Sequence, residues 1–221
     1  MLVFLCMAAV GQNRVAPGYV VLDNGDTLKG QIELKGHYTA PDFVYYTPAS
    51  GGQGKAYSVE NCKAFGTGDE IYERWVVKMD MSCMNRIDFK IFFEDSTLVD
   101  TVFLKQVYKG KHLTLYKYYR GNETGFLKSD REKMHFFLYD NDKLQELIIS
   151  YKDATKDTHD PNVFRYRADW SSRQTRMFFR DQLRAYFDWS AERKLRRQVD
   201  ELQYEEAPMV KAVKSIDGKI R

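Results

Sequence analysis

The stretch 18–34, GYVVLDNGDTLKGQIEL, limits the fold more than any other, because strand pattern and turn chemistry agree within it. Asn24 and Gly25 both tolerate the positive φ angles of a two-residue hairpin turn, and the runs on either side are rich in Val, Leu and Ile. With that pair as the loop, Val21 falls opposite Leu28 and Tyr19 opposite Gly30. Tyr19, Val21, Leu28 and Ile32 are then expected on one face, and Lys29, Gln31 and Glu33 on the other. A slip of one residue exchanges the faces, so the buried set specifies the register. Tyr19 is expected to lie over the bare backbone of Gly30, which has no side chain to pack.

Beyond the hairpin, extended runs recur between clusters of turn residues. Residues 43–47 (FVYYT), 56–59, 71–79 (IYERWVVKM), 86–93, 99–108, 112–119, 124–128, 134–139 (MHFFLY) and 144–149 read as strands, and 65–69 (FGTGD) as a turn. In 71–79 neither alternating side is wholly polar. The predicted class is α+β: an antiparallel β-meander, built as a curved sheet, barrel or sandwich, followed by a C-terminal amphipathic helix. The β-rich domain spans 17–150, a polar linker 151–163 and a helical segment 164–221. Phe179, Leu183, Tyr186, Phe187, Ala191, Leu195, Val199 and Leu202 follow three-and-four spacing, an apolar stripe along one long helix. Ser171 and Gln174 resemble a capping box at its start, and Pro208 is expected to end it. The stripe should pack on the sheet or on a second copy, which makes a homodimer through this helix one expected assembly.

Residues 1–11, MLVFLCMAAVG, are apolar and end in small residues, the outline of a signal peptide cleaved near Gly11. No Lys or Arg precedes the run, so either the true start lies upstream or the run is a buried first strand. The run falls short of the ~20 residues a bilayer-spanning helix needs. Export places the chain in the periplasm or outside the cell. Cys62 and Cys83 then remain, and in an oxidising compartment they could pair, closing a loop of about 20 residues worth about 3 kcal/mol. Two separately buried thiols are the alternative.

A net charge of +3 does not by itself call for a polyanionic partner. The fifteen Tyr and fourteen Phe favour sheet over disorder and offer one candidate site. Tyr45, Tyr46, Tyr116 and Tyr118, on an exposed sheet face, would stack on sugars or on a partner's apolar side chains; core packing is the competing role. Arg173, Arg176, Arg180 and Arg184 on the helix's polar face are the candidate anion-binding set, for a lipid headgroup or nucleic acid, against a solvated charged face. His37, His112, His135 and His159 share no metal-ligand spacing, so neither metal nor cofactor is expected, and His112 and His135 read as ordinary strand residues. Gly54-Lys55 lacks the upstream glycine and the following Ser or Thr of a phosphate-binding loop. No Gly-x-Ser-x-Gly nucleophile motif is present. Asn122-Glu123-Thr124 marks a surface turn.

The hairpin segment, with VYKGKHLTLYKYY at 107–119 and FFLYDNDKLQELI at 136–148, resembles uncharacterised exported β-rich proteins of gliding and glycan-feeding Gram-negative bacteria. The resemblance covers mainly 18–149 and implies a signal peptide, a β-rich envelope-side domain and a helical C-terminal part. It carries no catalytic residues. The expected role is a non-enzymatic binding or assembly protein of the cell envelope, with a protein or glycan partner, contact with a membrane surface as a further option, and nucleic acid disfavoured by export. The alternatives are a glycan- or lipid-acting hydrolase using carboxylates, and an intracellular nucleic-acid regulator using the arginines.

Overall fold

The computed structural model describes residues 14–34, 40–68, 70–80, 97–120, 133–153 and 173–220. The expected strands 86–93 and 124–128, the first eleven residues, His37, Cys83, the 122–124 sequon, His159 and Ser171 lie outside them. β1 (Arg14–Leu22) and β2 (Thr27–Leu34) form the expected hairpin, but Asp23, Asn24 and Gly25 make a three-residue loop. Leu22 N donates to Asp26 O at 2.9 Å and Gly25 N to Leu22 O at 3.0 Å, with Gly25 at φ 92°. Asn24 Oδ1 accepts from Asp26 N at 3.0 Å, which draws the chain into a turn with a left-handed glycine bulge. Taking Asp23 into the loop shifts β1 by one residue, so Val20 stands opposite Leu28 and Tyr19 opposite Lys29. Val20, Ile32 and Leu28 turn inward, while Tyr19 and Val21 stay out of that cluster. Tyr19 covers Gly66, and Tyr46 covers Gly30, which corrects the expected Tyr19–Gly30 pairing. The β2 side is as read: Lys29 and Gln31 are exposed.

β3 (Phe43–Pro48), β4 (Lys55–Ser58), β5 (Cys62–Thr67), β6 (Glu70–Asp80), β7 (Thr97–Lys109), β8 (Thr114–Arg120), β9 (Lys133–Tyr139) and β10 (Leu144–Leu147) extend the sheet. Among the described residues all ladders are antiparallel and the sheet is not closed, with strand order β10-β9-β8-β7-β6-β5-β1-β2-β3-β4. The expected turn at 65–69 is therefore mostly β5, a central strand. Four residue steps from Ser58 to Cys62 reach at most ~14 Å, yet four strand spacings would part β4 from β5 by ~19 Å in a flat sheet. The first half must curl. It does so around Val20, Ile32, Val44, Tyr57, Phe65 and Tyr72. Gly18 stands opposite Gly30 at the bend; a Cβ on either would meet a backbone oxygen, of Gly66 or Thr47, at 2.2 Å. Arg74 secures the end of this half, donating to Val59 O and pairing with Asp23, each at 2.8 Å.

The second half curls the other way. Val77, Met79, Val102, Leu104, Tyr116, Tyr118 and Phe137 form its interior. Tyr72 on β6 and Phe103 on β7 belong to the first interior, and their sequence neighbours of opposite parity belong to the second. The absence of a polar side in 71–79 is thus a consequence of one strand serving two cores on opposite faces.

The face left over by this second curl is covered by helices. α1 (Phe178–Arg184), α2 (Arg193–Asp200) and α3 (Glu206–Asp217) pack Phe179, Leu183, Leu195, Val199, Met209, Val213 and Ile216 on Leu113, Leu115, Phe136, Leu138 and Leu147. The single long helix is not formed. Asp188 Oδ1 accepts from Ser190 N, Ala191 N and Ser190 Oγ, a local turn that competes with helical bonding and parts α1 from α2. Pro208 sits in the first turn of α3, where its missing N–H costs nothing, so it opens a helix and does not close one. Within the expected linker and the expected helix, β11 (Ser150–Asp153) pairs with β12 (Arg173–Arg176).

One carboxylate locks the last helix to the sheet. Asp217, 7% exposed, accepts from His112 N and Leu113 N at 2.7 Å, Lys111 N at 2.9 Å and Tyr108 Oη at 3.1 Å. Burial alone would raise its pKa, but these donors outweigh burial and hold it below the usual carboxylate range.

Candidate functional site

Four strand spacings also separate β6 from β10, yet Glu146 Oε2 on β10 accepts from Asp80 N on β6 at 2.6 Å. The second half has therefore curled until its two outer strands nearly meet. β5 pairs with β6 only over Glu70–Thr67 through Glu73–Ala64, and no described strand pairs with that edge beyond it. Between the two strands lies a cleft of about 390 Å3. Val76, Val77, Phe137, Leu144 and Ile148 give it apolar walls, and Lys78, Asp80, Thr97, Gln145, Glu146 and Gln182 give it polar ones.

Three of the polar wall residues, Gln145, Glu146 and Gln182, are held in place. His135 on β9 and Glu146 on β10 have side chains 2% and 5% exposed, with Nδ1 to Oε1 at 2.6 Å. Glu146 thus ties three strands, through His135 on β9, its own backbone on β10 and Asp80 N on β6. Gln182 of α1 serves the outer edge of β10 as a missing strand would: Nε2 donates to Glu146 O at 2.7 Å and Oε1 accepts from Ile148 N at 2.8 Å. Phe179 N adds a bond to Ile148 O at 2.8 Å. Gln145 Nε2 donates to Tyr186 Oη at 2.7 Å, and that hydroxyl donates to Asp140 Oδ2 at 2.8 Å. Burial first, then the Asp140 carboxylate, pushes the Tyr186 phenol up. Such a cleft presents fixed side chains beside the β6 edge, which suits recognition of an extended backbone.

The residues singled out from sequence lie elsewhere. Tyr46 is in the first interior, Tyr116 and Tyr118 are in the second, and Tyr45 is half-buried on β3, so the four do not share one exposed stacking face. Tyr116 donates to Glu73, and burial together with that carboxylate raises its pKa. Arg173 and Arg176 fall on β12, not on a helix. Arg180 donates through Nε and Nη2 to Leu202 O, at 3.2 and 2.8 Å, and Arg184 pairs with Asp181 and Asp200. Those two join α1 to the α2 region and have their guanidinium groups occupied internally. Cys62 is a fully buried free thiol, Sγ to Ala64 O 3.2 Å, pushed up to about 11 chiefly by burial. His112 lies in the turn between β7 and β8, not in a strand.

His135 and Glu146 were missed, although a signal existed. If 134–139 and 144–149 pair around the Asp140–Lys143 turn, His135 and Glu146 fall on one face as polar residues among Phe137, Tyr139 and Leu144. Among the described residues, no three His, Cys, Asp or Glu side chains converge as a metal set, and no helix is long and apolar enough to cross a membrane. No family model, curated protein or solved structure matches the chain, so the reading of the site rests on its own residues.

Proposed function

We propose that the chain is a non-catalytic binding protein of the cell envelope, exported to the periplasm or beyond, and that the β6–β10 cleft takes an extended segment of a partner polypeptide. The observation that carries the reading is the β6 edge, paired with no described strand beyond Glu73, beside a cleft in which Gln145, Glu146 and Gln182 are already fixed by internal hydrogen bonds. An extended peptide there can add backbone hydrogen bonds along β6, since Gln182 and Phe179 already occupy the β10 edge, while Val76 and Leu144 contact its side chains. Export is supported by the apolar run 1–11 and by the resemblance described above.

Peptides selected from a random library against the purified chain should slow amide exchange in 75–80 and 144–148. Val76, 69% exposed at the mouth of the cleft, can become arginine without disturbing either core, and Val76→Arg should abolish that binding. Selected peptides that protect other strands, or that bind Val76→Arg as well as the wild type, would refute the assignment. Cleavage before Gln12 in the native protein, read by mass spectrometry, tests export separately.

One observation favours a second reading. Asp80 and Glu146 line the same cleft, and paired carboxylates are the machinery of glycoside hydrolysis. Release of reducing ends from envelope glycans that is lost in Glu146→Gln would establish that activity in place of binding.

A further inference from the structure

The helical layer has a second side. Most of its apolar residues pack on the sheet, Phe178 and Trp189 being exposed, and the outward positions of α2 and α3 carry more cations than carboxylates. On α2, Arg193, Lys194 and Arg197 are exposed, and on α3, Lys211 and Lys214. The two helices flank a shallow groove of about 440 Å3, with Gln198, Glu201 and Leu202 on one side and Pro208 and Lys211 on the other, which sets Lys211 of α3 beside α2. Arg197 pairs with Glu201 at 2.9 Å. Arg193, Lys194, Lys211 and Lys214 have no carboxylate partner among the described residues.

Just before α2 stands Trp189, 54% exposed, with the Arg196 guanidinium of α2 6.0 Å from its ring centroid. A solvated basic face needs no such ring. An exposed indole next to a cationic helix matches the boundary of an anionic bilayer, where the ring sits at headgroup depth and the cations meet phosphates. We infer that the outer face of α2, with Trp189 and the neighbouring lysines of α3, docks on an anionic phospholipid surface. A nucleic acid is the other polyanion, but a face with one exposed aromatic ring offers no row of stacking platforms. This surface is separate from the β6–β10 cleft and does not depend on what the cleft binds.

The test is sedimentation of the full chain with large vesicles. Equal parts phosphatidylglycerol and phosphatidylcholine should bring the protein down at low salt, and phosphatidylcholine alone, or high salt, should not. Each cation near such a surface contributes about fivefold in partition, so Arg193→Gln with Lys194→Gln should lower it about 25-fold. Both side chains are exposed, so the melting temperature should stay unchanged. Brominated lipid should quench tryptophan emission in the wild type and not in Trp189→Phe. The inference is overturned if the wild type ignores anionic vesicles, binds neutral ones equally, or is unaffected by the double substitution. It is also overturned if a single-stranded oligonucleotide at the same ionic strength displaces the protein from the vesicles. Failure here leaves the cleft assignment standing, because the Val76→Arg comparison involves none of these residues.

Discussion

Replacing Asp217 by alanine should cost the fold more than any exposed substitution, because one carboxylate closes the β7–β8 turn and fastens α3 to it. The exposed Lys111 N–H can turn to water, but the N–H groups of His112 and the buried Leu113 lose their acceptor. At ~1–3 kcal/mol for each unsatisfied group, the loss is about 3 kcal/mol. For a chain of this size that corresponds to a fall of about 6–12 °C in Tm. Urea unfolding followed by far-ultraviolet circular dichroism reads it directly. The pH dependence has a definite sign. Asp217 titrates lower in the folded chain than the ~3.9 of an unfolded aspartate. Its contribution is therefore complete above the unfolded value and is lost as pH falls through the folded one. The stability gap between wild type and Asp217→Ala should be constant from neutrality to about pH 5 and narrow below about pH 4. Gly110 supplies an internal control, since a Cβ there would stand 2.1 Å from Asp217 Oδ2. Gly110→Ala should destabilise the wild type and cost much less in the Asp217→Ala background. A loss under about 0.5 kcal/mol in Asp217→Ala, or a gap that persists unchanged at low pH, would refute the clasp as a source of stability.

Glu146→Ala leaves the buried His135 ring and Asp80 N without the carboxylate they contact and, at ~1–3 kcal/mol for each unsatisfied group, should destabilise by about 2–6 kcal/mol, read as a lowered urea midpoint. Gly30→Ala drives a Cβ to 2.2 Å from Thr47 O at the bend of the first half, so the variant should fail to give a cooperative melt; normal melting would show that the bend can open. Cys62, buried and with its thiol raised to about 11, should resist alkylation at pH 8 in the native chain and react in urea, as peptide mapping would show. Leu183→Asp places a charge in the cluster between helices and sheet and should abolish folding, whereas a folded chain of altered oligomeric mass would place that side chain at an interface between copies.

Most of the strands were legible because the alternation of side chains is a local signal. The first hairpin shows its limit: the β2 half was placed correctly, but whether Asp23 belongs to strand or loop depends on the Asn24 side chain, and that choice moved β1 by one residue. β5 was hidden because Gly66 and Thr67 look like turn residues, and Gly66 is there to make room for the Tyr19 ring. The apolar stripe of 179–202 was real, since Phe179, Leu183, Leu195, Val199 and Leu202 are all buried. Its continuity was not, because Asp188 redirects the backbone halfway along. α3 went unread although it is the most closely docked helix, since its Pro208 signals a stop only when it lies in the interior of a helix. The cleft could not be read, because it exists only where two strands distant in the sheet are brought together by curvature.

β6 looks inward twice, with Tyr72 toward one interior and Val77 and Met79 toward the other. Neither half can melt without exposing that strand's contribution to its neighbour, so the two should come apart together, in one calorimetric transition whose van't Hoff and measured enthalpies agree. The same coupling means that a ligand gripping the β6 edge would stiffen the distant β1–β5 half as well.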